Sequence, residues 1–233
     1  MRTAAALILA LAAGPAAAQD QCRLALLLGV DVSASVDAAE YRLQLSGIAA
    51  ALVAPENVEA FLNGPGPVAL SIYEWSGRFQ QDLLIDWTMI TSEADLVRIA
   101  ERVSRQVRRS EDFPTAIGYA LGFAAGHFQR APPCLFQTLD VSGDGQNNDG
   151  FAPGAAYEHF PFDGITVNGL AIGGASRGIA EYYAEEILLG PGAFVEYAAS
   201  HADFAEAMRR KLERELGVMI LGGLALPTGQ LPM

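Results

Sequence analysis

At 233 residues, about half of them hydrophobic, the chain can bury one sizeable core without a disulfide lattice or structural metal, and its composition excludes disorder. A net charge of −12 argues against a nucleic-acid or anionic-membrane surface, because either would repel a chain without a clustered basic patch. The one basic cluster, Arg209, Arg210 and Lys211, stands beside Glu206, Glu213 and Glu215 on one helix and reads as a solvated, ion-paired face.

Residues 1–18 carry Arg2, an apolar stretch from Ala4 to Ala13, a Gly-Pro break and then Ala16-Ala17-Ala18, the pattern of a secretory signal peptide. Gln19-Asp20-Gln21 lacks the small apolar residues that precede a lipidated cysteine, so a soluble periplasmic or secreted protein is expected. Residues 19–217 then form one domain and 218–233 an apolar tail. Cys22 and Cys134, the two cysteines, belong to a compartment where disulfides persist. Each opens an apolar run that ends in an acid: Cys22 lies nine residues before Asp31, and Cys134 ten before Asp144. If those runs are adjacent parallel strands, their entrances are level and the cysteines pair at the end of the sheet opposite the acids.

The run Leu24 to Asp31 reads as a buried parallel strand delivering Asp31, Ser33 and Ser35 to its carboxyl end. Two readings of that trio stand side by side. Three small oxygen donors on one turn suit a hard cation such as Mg²⁺; Ser33, Ser35 and Asp37 also suit the cap of the next helix. Asp37-Ala-Ala-Glu40 makes a capping box, and Tyr41, Leu45, Ile48 and Leu52 follow at helical spacing until Pro55. Val68–Trp75 is a second strand, and Phe79–Trp87 a third, antiparallel to it because Ser76-Gly77 is too short for a crossover. Ser92 to Asp95 caps a helix with Leu96, Ile99, Ala100, Val103 and Val107 on its apolar face, and Arg102, Arg105, Arg108 and Arg109 form a mild surface feature at its end.

Ser110 to Thr115 is a loop; Ile117, Leu121, Ala124 and Phe128 mark the next helix, with Pro114 in its first turn and Thr115 at its amino end. A fourth strand, Cys134–Val141, ends in a loop from Ser142 to Gly150. Asn147, Asn148 and Asp149 in that loop offer oxygens to Ca²⁺, although turn formation explains them more simply. A short helix over 152–160, a fifth strand over 165–172, a glycine-rich segment over 173–178, a helix over 179–188 and a sixth strand over 193–198 follow. The glycine spacing at 173–178 is wrong for dinucleotide binding. Ser200 to Asp203 caps a last helix carrying Phe204, Met208 and Leu212. Residues 218–226 are too few to span a bilayer, so no transmembrane span is expected.

Strands alternating with helices, apart from one hairpin, define the fold class: α/β, doubly wound, with a mostly parallel six-stranded sheet, one antiparallel edge strand and helices on both faces. Ligands of such sheets gather outside the carboxyl ends of the strands, where Asp31 and Asp144 lie and Thr115 can converge on them. Asp31-x-Ser33-x-Ser35 after the first strand, Thr115 opening a helix that reaches Ala120-Leu121, and Asp144-Gly145 after the strand ending at Val141 together resemble the von Willebrand factor A (vWA) domain and its metal-ion-dependent adhesion site. The order of elements agrees over roughly residues 22–216, and the chain looks closest to uncharacterised exported bacterial members with a Ser-Gly-Asp-Gly signature. The resemblance implies a divalent cation, Mg²⁺ or else Mn²⁺ or Ca²⁺, held by Ser33 and Ser35 with Asp31, Thr115 and Asp144 direct or through water. It also implies a protein partner whose carboxylate completes the shell. Two features depart from the family: Phe113-Pro114 replaces a glycine-bearing loop, and Asp140, read as a paired core acid, interrupts the fourth strand.

The expected function is therefore a non-enzymatic, cation-dependent protein-binding module. A metal-dependent phosphohydrolase with Asp31 as nucleophile is the alternative from another class, and it lacks a second acid at Ser33 and a lysine for the phosphate, since Lys211 on the last helix is the chain's one lysine. A scaffold with a vestigial site is the third. A serine hydrolase finds no support at Ser33 or Ser35, since His127, His159 and His201 fall on expected helices or loops rather than beside them, and these histidines also lack the spacing of a zinc site.

Overall fold

Eight consecutive buried residues make β1 (Leu24–Asp31), the strand on which the sheet is centred. The computed structural model describes residues 21–109, 111–173 and 178–222; the signal-peptide segment, most of the glycine-rich segment and residues 223–233 lie outside them. Around β1 stand β2 (Val68–Trp75), β3 (Gln81–Ile90), β4 (Phe136–Gly143), β5 (Ile165–Ile172) and β6 (Val195–Ala198), in the order β3-β2-β1-β4-β5-β6. All neighbours run parallel except β2 and β3, which the tight turn makes antiparallel.

Alternation along β1 divides the core. Leu24, Leu26, Leu28 and Val30 face a layer built from α1 (Ala38–Leu52), α2 (Pro55–Leu62), α3 (Glu93–Ser104) and α7 (Phe204–Gly222). Ala25 and Leu27 face α4 (Ile117–Phe128), α5 (Pro153–His159) and α6 (Gly178–Glu186). Each face of a parallel sheet is thereby covered, as its apolar strands require. Cys22 and Cys134 form a disulfide below β1 and β4, with Cα atoms 4.4 Å apart, at the end of the sheet opposite Asp31. The level entrances inferred from the sequence are thus real: Leu24 pairs with Phe136.

Several local readings are corrected. Pro55 does not merely stop a helix; it occupies the first turn of α2, where its missing N–H costs nothing, and buried Arg23 donates to the Ala60 and Phe61 carbonyls at the far end of that helix. α3 stops at Ser104, so Val107 lies beyond it and is exposed. Pro114 lies in the loop before α4, whose N-cap is Ala116. Lys211 is wholly buried rather than solvated, 3.1 Å from Asp140 and 2.8 Å from Glu215, while Arg209 and Arg210 do pair with acids at the surface. The residues 218–222, read as the start of a tail, continue α7. Among the described residues no single helix is long and apolar enough to cross a membrane.

Candidate metal centre

At the carboxyl end of β1 the chain turns back on itself as Ser33 N–H donates to Asp31 Oδ1 at 2.8 Å. Val32 N–H donates to the Trp75 carbonyl at the end of β2, and Ala34 N–H to the Phe113 carbonyl, so the loop is anchored on both sides. The cap of α1 belongs to Asp37, whose Oδ1 accepts from Ala39 and Glu40 N–H while Glu40 Oε2 accepts from Asp37 N–H. Ser33 and Ser35 are therefore not capping residues. Their hydroxyls point into a shared cluster instead.

That cluster unites all five sequence-derived candidates. Thr115 Oγ1 donates to Ser33 Oγ at 3.1 Å, Ser33 Oγ and Ser35 Oγ are 3.2 Å apart, and Ser35 Oγ donates to Asp144 Oδ1 at 2.6 Å. Asp31 completes it through the Ser33 backbone. β1 and β4 are adjacent and in register, which carries Asp31 and Asp144 to the same rim. Gly145 lets the loop pass Thr115: a Cβ there would come 3.3 Å from Thr115 Oγ1.

Burial, and after it the charge of Asp144, pushes the Asp31 carboxyl up to about 7, with hydrogen bonds from Ser33 pulling the other way. Its Oδ2 is buried and has no hydrogen-bond partner among the described residues. A carboxylate placed this way is short of positive charge. The donors within reach are two carboxylates and three hydroxyls, an all-oxygen set that fits a hard divalent cation. Among the described residues no three His, Cys, Asp or Glu side chains converge, so nothing resembles a nitrogen- or sulfur-rich site.

Residues assigned other roles, or none, from the sequence hold the cluster in place. Arg108 donates to the Val32 and Ser33 carbonyls at 2.9 and 3.0 Å, so it braces the loop rather than decorating the surface. Asn148 Oδ1 accepts from Thr115 N–H, its own N–H donates to the Thr115 carbonyl, and Asn147 Oδ1 accepts from Gly118 N–H. Asp149 is held by Arg78 at 2.7 Å, and Gly150 turns the chain at φ +72°. The oxygens considered for Ca²⁺ in this loop are thus spent on protein donors. Gln44 Nε2 reaches the Asp31 carbonyl at 3.1 Å from α1. None of these carries a motif; only the fold brings them here.

The histidines have other work. His127 is buried, hydrogen-bonded to Ser71 at 2.9 Å and stacked against Trp87. His201 sits 3.1 Å from Glu40, and His159 is exposed at the end of α5. Asp140 pairs with Lys211 in the core, as a core acid must.

The fold is that of vWA-like domains. Proximal thread matrix protein 1 from the mussel byssus superposes with a TM-score of 0.62 at 16% identity, covering 86% of this chain and 49% of its own. A second structure of that protein, with a zinc-occupied MIDAS motif, gives 0.59 at 15% identity, over 86% and 49%. A von Willebrand factor type A protein from Catenulispora acidiphila gives 0.55 at 15% identity over 84% and 43%, and the PilB minor pilin from Streptococcus sanguinis 0.60 at 13% over 91% and 64%. The chain spans about half the length of the mussel protein, and at such identities the likeness is one of fold. No curated protein matches the chain. A family model does match residues 21–220, and by that match the chain belongs to the family described as "Protein of unknown function (DUF1194)".

Proposed function

We propose that the chain is an exported, non-catalytic module that holds a divalent cation, Mg²⁺ foremost, at Asp31, Ser33, Ser35, Thr115 and Asp144 and uses it to bind a protein partner offering a carboxylate. The observation that carries this reading is the hydroxyl chain from Thr115 through Ser33 and Ser35 to Asp144, formed by serines that the capping of α1 does not employ. Two acids and three neutral hydroxyls leave a bound divalent cation with coordination to spare, and such an ion supplies a localised positive charge for an incoming carboxylate. Phe79, on the turn between β2 and β3, is 84% exposed and Phe113, beside the Asp31 loop, 38%, so apolar contact area borders the charged centre. The zinc-occupied MIDAS motif named for the mussel protein supports a metal in a fold of this kind, and the all-oxygen donor set favours Mg²⁺ over zinc here. The disulfide supports an oxidising compartment outside the cytoplasm.

Binding is favoured over phosphoryl chemistry because Lys211, the chain's one lysine, is locked between Asp140 and Glu215 inside the core and has no route to a phosphate at Asp31. Calorimetric titration of residues 19–233 with Mg²⁺, Mn²⁺ and Ca²⁺, alongside Asp31→Ala, tests the proposal. One ion bound by the parent and none by a variant that retains its circular dichroism is the expected result. Silence from both proteins overturns it. Partner capture that survives the variant and a chelator would remove the metal from the binding event.

A further inference from the structure

α6 sets two consecutive tyrosines against the rim of the site. Tyr182 Oη accepts from Asn147 N–H at 3.2 Å, steadying the loop after Asp144. Tyr183 turns inward and is fully buried, its ring lying over Gly169 of β5 and its hydroxyl over Gly143 of β4. Both glycines are needed for that seat: a Cβ at Gly169 would stand 2.7 Å from Tyr183 Cδ1, and one at Gly143 would stand 2.5 Å from Tyr183 Oη. The same point above Gly143 is 2.8 Å from Asp31 Oδ2. A phenol oxygen and a carboxylate oxygen therefore flank one small space, both buried and neither with any hydrogen-bond partner among the described residues.

Each of these atoms is costly to leave unpaired, and their chemistry is complementary, since a neutral phenol donates and a carboxylate accepts. We propose that Tyr183 is a positioning residue for Asp31, its hydroxyl donating a hydrogen bond to Oδ2 and so fixing the rotation of the carboxylate. The contact the proposal requires is made directly, by rotation of the Asp31 carboxylate toward the phenol, or through a single bridging water of the same polarity. The Ser33 N–H already holds Oδ1, so the carboxylate is gripped at both oxygens, from its own loop and from α6. The glycine of Ser142-Gly143-Asp144-Gly145 then has a reason of its own: it is the gap through which α6 reaches β1.

The consequence for cation binding rests on the proposed metal site; the contact itself does not. Its test accordingly has two arms. In chelator, denaturant unfolding of Tyr183→Phe, Asp31→Asn and the double variant forms a thermodynamic cycle, and unfolding constants departing from additivity by about fivefold or more are expected. Additive effects overturn the proposal whether or not any metal binds. In the second arm, Mg²⁺ titration of Tyr183→Phe is expected to show affinity about tenfold weaker than the parent, near the lower end of what a hydrogen bond to a charged group contributes. Unchanged affinity, with stability alone reduced, would make Tyr183 a packing residue and overturn its positioning role. A parent that binds no Mg²⁺ would refute the metal site, and the cycle would still decide the contact.

Discussion

Asp31 bears two electrostatic costs, removal from water and proximity to Asp144, and they set a pH dependence. Its ordinary value is 3.8 and its folded value about 7, so between the two the folded state keeps a proton that the unfolded chain has released. Stability from this group is present at low pH, falls as pH rises through that window and is fully lost above about 7, by on the order of 4 kcal/mol in the cation-free protein. A bound cation offsets the same penalty. Melting temperatures with chelator and with Mg²⁺ should therefore diverge, the gap at about pH 8 clearly exceeding that at about pH 5; an equal gap at both would dissociate Asp31 from the ion. The cluster of Asp31, Ser33, Ser35, Thr115 and Asp144 was legible in the sequence because acids and hydroxyls carry their chemistry in their identity. Of the two readings the sequence left open, the cap is removed by one fact of geometry, that Ala39 and Glu40 N–H donate to Asp37 rather than to Ser33 or Ser35. Arg108 was illegible, since an arginine past a helix end looks like any other until the fold lays it over the Val32 and Ser33 carbonyls.

Individual elements show where local pattern misleads. α7 carries a run of basic residues that reads as a solvated face, yet helical rotation sends Lys211 inward to Asp140 while Arg209 and Arg210 remain outside. Asn168 on β5 donates to Glu215 and accepts from Phe194 N–H, so the buried ions bind β4, β5 and α7 into one unit. Lys211→Met keeps volume and removes the cation, leaving two buried acids uncompensated; a loss of about 3–5 kcal/mol in urea unfolding is expected, with Mg²⁺ affinity in the folded fraction retained. The loop after β4 makes the opposite case. Asn148→Ala strips Thr115 N–H of its acceptor, and a smaller loss of about 1–2 kcal/mol should accompany measurably weaker cation binding. Asparagines in a glycine-rich stretch are indistinguishable from turn residues until their acceptor is known.

At the scale of the molecule, the number and direction of the strands followed from the alternation of elements and one tight turn, and both are observed, while their order is supplied by the structure. The Cys22–Cys134 link was legible for the same reason: two runs of similar length leading to acids must enter the sheet together. Replacing both cysteines by serine should cost about 2–5 kcal/mol of stability. Cation affinity should persist, because the link and the site occupy opposite ends of β1, and isothermal titration of the double variant reads this directly. The same link has a mechanical meaning. Tension applied to the two ends of the chain crosses from Cys22 to Cys134 through sulfur, and the covalent path bypasses the 111 residues between them. Asp31, Ser33, Ser35 and Thr115 all ride in that sheltered interval, whereas Asp144 and Tyr183 lie on the strained side. Pulling is therefore expected to load β4, β5, β6 and α7 first, and reducing the link should release on the order of 400 Å of further length, which single-molecule force extension reads.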